Sequence, residues 1–231
     1  MLDKPSLYLY EEIMLLALRD KEGTIAAGTM YPYAIGGAII AELVLHDRIT
    51  LRESKRKQLV EATSAKPIGD PLLDECLSKI RSAKRRASIQ TWIQRFAGIR
   101  KLHHRVATQL CRRGILRADE GSFLLIFTRK IYPEMDPKPE RDLTERLRKA
   151  IFTDTGDLDA RTVVLVSLAN SAGLLRVAFD KRKLKERKAR IERVVNGEVT
   201  GRATHEVIQA VQTAIVVAAI MPAIVATTVT H

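Results

Sequence analysis

Arginine and lysine are the residues in this sequence with the clearest chemistry to offer, and they occur in clusters. The first is Arg81, Lys84, Arg85 and Arg86. The second is Arg95, Arg100, Lys101, His103 and Arg105, running on to Arg112, Arg113 and Arg117, and a third extends from Lys181 to Arg193. Converging guanidinium groups suit phosphate, because the planar fork can bond two oxygens at once. In the second cluster, Arg100 and His103 stand three residues apart and share a helical face, with Lys101, Arg105 and Arg112 on a neighbouring one. The Lys181–Arg193 run reads first as a solvated helix surface, because Val177, Leu184 and Ile191 recur at seven-residue steps.

Other chemistry is absent from the sequence. It has no Gly-rich phosphate loop, no Gly-x-Ser-x-Gly elbow and no His-Glu-x-x-His pair. His103 and His104 are adjacent, so on a helix they point about 100° apart and do not converge on a metal. Asp70, Asp74 and Glu75 read as helix capping and first-turn acids rather than a catalytic carboxylate pair, and Glu11 and Glu12 likewise fit the first turn of a helix. Cys76 and Cys111 give no disulfide framework and no metal spacing. The sequence therefore predicts a protein that is not an enzyme and holds no cofactor or metal.

The elements that must position the cationic residues are mostly helical. Helices are expected near 9–18, near 33–45 with Gly36 and Gly37 permitting close backbone approach, and from 71 behind an Asp70 cap with Pro71 in its first turn. Ser88 caps a helix carrying Trp92, Ile93 and Phe96 that closes at Gly98, and the next places Ile99, Leu102, Val106 and Leu110 inward as far as Gly114. Two short apolar runs, 115–117 and 122–127, flank Ala118-Asp-Glu-Gly121 and predict one β-hairpin. Its apolar residues, Phe123, Leu124 and Leu125 among them, would pack on the core, on a neighbouring subunit or against a membrane. Further helices are expected around 143–151, 159–170 and 181–193, and a last one opens at Thr204. From Ala214 to Ala226 no polar side chain occurs, which is too short for a spanning helix and suits a buried central one.

The chain has 231 residues, with 39 Lys+Arg against 27 Asp+Glu, a formal net charge of +12. Such a charge points toward polyanions, either nucleic acid or an anionic membrane surface. At 46% hydrophobic and 29% charged, a disordered acidic chain and a polytopic membrane protein are excluded. The sequence opens with no signal-peptide pattern, so a cytoplasmic location with peripheral membrane association is expected. The expected fold is mainly α: a single globular domain over 1–231, around a buried apolar C-terminal helix, with one protruding β-hairpin.

Several segments resemble the Golgi phosphoprotein 3 family in order along the chain. They are Leu7 to Gly23, Ala41-Glu-Leu-Val-Leu with Arg48-Ile-Thr-Leu51, Gly69 to Glu75, Gln90-Thr-Trp-Ile93, Leu110-Cys-Arg-Arg-Gly-Ile-Leu116, Asp159-Ala-Arg161, and Glu206-Val207 with Ala210-Val211. The resemblance implies a helical domain with a protruding hairpin, peripheral binding of phosphatidylinositol 4-phosphate, and adaptor work in Golgi sorting of glycosyltransferases. It implies a lipid pocket in which Arg100 matches one arginine of a spaced pair and His103 replaces the other. Gly36 replaces a third arginine, and no Trp occurs between Gly23 and Gly36, though Tyr31 and Tyr33 are near. These departures, and a start directly at the first helix without the basic tail of eukaryotic members, point to a divergent or bacterial member.

The leading expectation is therefore a peripheral protein binding an anionic, phosphoinositide-like head group. Arg100 and His103 would hold phosphate, with Lys101 and Arg105 supplying field. Phe123, Leu124 and Leu125 would touch the bilayer or a neighbouring copy in a homo-oligomer. The alternative is nucleic-acid binding, since Asp47-Arg48-Ile-Thr-Leu51 after a helix looks like entry into a winged-helix element. A small-molecule enzyme acting on a phosphorylated substrate is the third reading, with no catalytic constellation behind it.

Overall fold

A helix with no polar face turned to solvent must be buried, and three such helices organise this protein. The computed structural model describes residues 6–18, 25–26, 29–54, 57–123 and 127–199, without the side chains of 54, 57 and 119–131. Helix α1, Leu9–Ala17, is buried at every position. Helix α2, Tyr31–Leu45, begins with Pro32 in its first turn and buries everything from Ala34 to Leu43. Gly36 explains how closely α2 can be approached: a Cβ there would lie 2.7 Å from the carbonyl oxygen of Ile93.

After α2 the chain turns through Asp47, at φ 55°, into an antiparallel hairpin of β1 (Ile49–Ser54) and β2 (Lys57–Ala62). Arg52 and Glu61 meet across it at 2.7 Å. Helix α3, Pro71–Arg81, follows, capped by Asp70, whose Oδ1 accepts from the N–H groups of Leu72 and Leu73 at 3.1 and 2.8 Å. Helix α4, Ile89–Ala97, is capped by Ser88, and α5 covers Leu102–Arg112. A second antiparallel hairpin pairs β3 (Asp119–Phe123) with β4 (Phe127–Ile131). Then come α6 (Lys138–Phe152), α7 (Ala160–Ser171), α8 (Leu175–Ala178), α9 (Lys181–Glu186) and α10 (Lys188–Val195). Helix α2 packs against α1, α4 and α7, and α7 also meets α1, α6 and α10. The buried apolar side chains form one cluster running from Leu9 to Val199.

The fold is thus mainly helical with the expected hairpin, and three points differ from the sequence reading. First, β1–β2 is a second hairpin. Its strands carry Arg52, Glu53, Lys57, Gln58 and Glu61, so no apolar run announces them. Second, β3 begins within the acidic Gly-containing stretch expected to be a turn. Ile115 and Leu116 are buried in the preceding loop instead, at 1% and 3% exposure. Third, among the described residues α2 and α7 occupy the centre; the helix expected from Thr204 lies outside the description, as do the side chain of Phe123 and all of Leu124 and Leu125. The helix entering β1 does lead from Leu45 into a strand. It is α2, however, buried from Ala34 to Leu43, so it presents no exposed face to a nucleic-acid groove.

No described helix is long and apolar enough to cross a membrane.

Candidate anion-binding site

The cationic residues of the second cluster sit where α4 meets α5. Gly98 closes α4 with its N–H on the carbonyl of Gln94 at 3.0 Å, and Lys101, at φ 55°, turns the chain into α5. Left-handed backbone at a lysine is strained by about 1–2 kcal/mol relative to glycine. The helix therefore starts at Leu102, and Arg100 lies in the turn before it. That separates the pair expected to share a helical face. The His103 and His104 rings meet at 3.8 Å between centroids, tilted by 41°, and His104 Nδ1 lies 2.7 Å from the Tyr132 hydroxyl.

Two shallow grooves adjoin on either side of Arg105. One, of about 300 Å³, is lined by Lys101, His104, Arg105, Thr108, Gln109 and Arg112, with Pro71 and Leu72 opposite. Positions 105, 108 and 112 lie on one face of α5, and Lys101 lines the same groove from the turn before the helix. The other, of about 590 Å³, brings together Lys79, Arg95, Arg100 and Arg105 beside Trp92, with Glu75 as the one carboxylate in its lining. Arg95 lies over the Trp92 ring at 4.7 Å, a cation–π contact.

Arg105 is the fixed member. Its Nη2 donates to Glu75 Oε2 at 2.5 Å, and Lys79 stands 3.3 Å from the other oxygen of the same carboxylate. The hydrogen bond from Arg105 holds the Glu75 carboxyl below the usual carboxylate range, and the same bond raises the Arg105 guanidinium. Arg100, Lys101 and Arg112 are exposed and have no hydrogen-bond or ionic partner among the described residues. The arrangement can receive an anion: one oriented guanidinium at the ridge, with solvated cations on both flanks.

A buried polar network fixes this face to the core. Asp70 Oδ2 accepts from the Tyr10 hydroxyl at 2.7 Å and from Gln109 Nε2 at 2.6 Å, so one carboxylate joins α1, α3 and α5. Gln109 also donates to the Tyr10 oxygen at 2.6 Å. Burial, followed by the nearby Asp70 and Glu11 carboxylates, pushes the Tyr10 phenol far up, so it stays a neutral donor.

Arg113 donates to the fully buried Glu11 at 2.5 Å, which removes it from the pool of available cations. Arg146 pairs with Glu12 at 2.7 Å, and Arg161 grips Glu42 at 2.7 and 3.1 Å while donating to the carbonyl of Leu7. Glu11 and Glu12 are therefore buried ion-pair partners, whereas the sequence reading gave them only the role of helix first-turn acids. Burial raises both carboxyls despite these partners. The sequence signal for them was a charged residue on helices with no polar face, since a charge taken out of water requires a counter-charge. Gln109 carried no comparable signal.

Neither cysteine is poised as a thiolate. Burial pushes the Cys76 thiol up to about 12, and Cys111 is raised for the same reason. Gly36, where the family resemblance implies an arginine, faces the α4 backbone, so a side chain there would require the helices to part.

Comparison with known proteins accords with this architecture. The sequence model of Golgi phosphoprotein 3 (GPP34) matches residues 9–211. Vacuolar protein sorting-associated protein 74 of Schizosaccharomyces pombe is 25% identical over 223 residues, covering 83% of this chain and 66% of that relative. The chain thus spans just under two thirds of that relative's length, and the comparison gives no support to a bacterial source.

Proposed function

This chain belongs to the Golgi phosphoprotein 3 family, and on that premise we propose that it is a peripheral membrane protein whose α4–α5 face binds a phosphate-bearing lipid head group, phosphatidylinositol 4-phosphate or one like it. The observation that supports this reading is the set of exposed cations, Arg100, Lys101 and Arg112, ranged around an Arg105 already oriented by Glu75. Arg100 and Lys101 would meet the phosphate first, being the residues at the tip of the turn. His103, its ring against that of His104, would contribute from the first turn of α5. With glycine at position 36, selectivity rests on these cations alone, and anionic lipids in general should compete. The segment carrying Phe123, Leu124 and Leu125 is given the role of touching the bilayer or a second copy of the chain. The role proposed is binding, with no catalytic step.

Vesicle co-sedimentation at low salt tests the reading. Recovery should be high with phosphatidylcholine vesicles containing phosphatidylinositol 4-phosphate, and low with phosphatidylcholine alone. A charge-assisted contact contributes about 1.5–3 kcal/mol, so Arg100→Ala should weaken binding by about tenfold or more. Lys188→Ala, outside this face, should have little effect. Equal recovery on neutral and anionic vesicles would end the proposal, and equal losses in the two variants would replace the site with diffuse charge.

A further inference from the structure

The basic run 181–193 is not one solvated helix face. Its helix breaks at Arg187, where α9 ends and α10 begins, and its cations divide between two sides. On one side Arg187 Nε donates to the carbonyl of Ile151 at 3.0 Å. Arg190 donates to the carbonyls of Ala150 and Thr155 at 3.0 and 2.6 Å. These two arginines close the C-terminal end of α6 and are structural. On the other side the bend creates a concavity of about 410 Å³ rimmed by Arg176 of α8, Lys181 and Lys185 of α9, and Lys188 of α10. Leu175, Leu184 and Ile191 give it an apolar part, with Asn170 and Gly173 beside them.

We propose that this groove is a docking site for an acidic peptide segment with apolar anchors, separate from the lipid-binding face. Charge complementarity defines the occupant. Arg176, Lys181 and Lys185 have no anionic partner among the described residues, and Lys188 has only Glu192 at 3.6 Å. Four cations therefore surround the cavity with one carboxylate in its lining. The leucine and isoleucine part gives no contact to a polyphosphate or to base edges, so a purely ionic ligand leaves that part unused. A bilayer is flat and meets protrusions rather than a concavity. An extended acidic peptide satisfies both parts, because alternate side chains point opposite ways and can place apolar groups on the leucines and isoleucine and carboxylates at the rim. The groove shares no lining residue with those at α4–α5.

Fluorescence anisotropy on the full chain tests this with two fluorescein-labelled dodecapeptides, one alternating glutamate with leucine and one alternating glutamate with serine. The glutamate–leucine peptide should bind at least tenfold more tightly than the glutamate–serine peptide. The double change Lys181→Glu with Lys185→Glu should abolish the tighter binding, and Arg100→Ala should leave it unchanged. The two lysines are exposed and helix-compatible as glutamate, and should the double reversal fail to fold, Lys181→Gln with Lys185→Gln serves in its place. Equal binding of the two peptides, no effect of the double change, or loss through Arg100→Ala would each overturn the assignment. So would a loss of anionic-vesicle recovery in the lysine double variant as large as in Arg100→Ala, since the groove would then be a membrane face.

Discussion

Asp70 offers the sharpest test of how the anion-binding face is held in place. Its two oxygens do different work: Oδ1 caps α3 through Leu72 and Leu73, and Oδ2 receives Tyr10 and Gln109 from α1 and α5. Asp70→Ala removes everything at once. Loss of the cap costs about 1 kcal/mol, and hydrogen bonds to a charged group contribute about 1.5–3 kcal/mol each. Tyr10 and Gln109 keep their mutual bond at 2.6 Å, which returns part of this, so the expected loss is about 4 kcal/mol. Asp70→Asn keeps the cap oxygen but turns an amide donor toward the Gln109 amide. The Tyr10 hydroxyl can rotate to accept, whereas Gln109 accepts only by turning its amide over, which gives up its bond to Glu11 at 3.3 Å and faces its oxygen toward that carboxylate, so this change should cost about 2 kcal/mol. Urea unfolding followed by the single tryptophan, Trp92 in α4, measures both. A double-mutant cycle of Asp70→Ala with Tyr10→Phe should show coupling above about 1 kcal/mol. The reasoning is refuted if Asp70→Asn is neutral, if alanine costs no more than asparagine, or if the cycle is additive.

Three further outcomes follow from the same contacts. Glu12 has its folded carboxyl raised by burial, so its contribution to stability is fully present below the unfolded value and is lost as pH rises through the folded one; urea midpoints of Glu12→Gln should therefore gain on those of the parent protein between pH 4 and pH 7, and the opposite slope would show that the Arg146 ion pair outweighs desolvation. Gly36→Ala places a methyl group against the Ile93 carbonyl, a backbone atom, and should cost about 1–3 kcal/mol by forcing α2 from α4, whereas an unchanged melting temperature would contradict the close approach. Lys101→Gly should raise stability by up to about 1 kcal/mol by relieving the left-handed backbone while weakening recovery on anionic vesicles, and a variant that is less stable or binds equally well would deny the residue that double role.

Local signals were readable wherever one residue type has one physical use. Asp70, Ser88 and Asp159 each cap the helix they were expected to start, through side-chain bonds to nearby N–H groups. Gly36 allows the helix approach that its lack of a side chain implies. The charge-rich strands β1 and β2 were hidden because only Ile49 and Val60 are buried, with Leu51 and Ala62 packed beside them, and these few apolar residues are interrupted by charged ones such as the Arg52–Glu61 pair. The basic clusters were visible as composition, but which members are available was not. Arg113 and Arg190 are engaged by a buried carboxylate or a carbonyl from residues distant in sequence, and spacing says nothing about partners of that kind. Arg100 and His103 do not share a helical face for a local reason: periodicity carries through a tight turn on paper, whereas Lys101 in left-handed backbone resets it.

The central claim is that the turn between α4 and α5 receives a phosphate-bearing head group. A crystal of this chain soaked with the soluble head group inositol 1,4-bisphosphate tests it most directly. The account predicts a phosphate within salt-bridge distance of Arg100 or Lys101, in one of the grooves that Arg105 divides, and loss of that density in Arg100→Ala crystals. Bare grooves at α4–α5, or the ligand bound only at the Lys181–Lys185 rim, would contradict it.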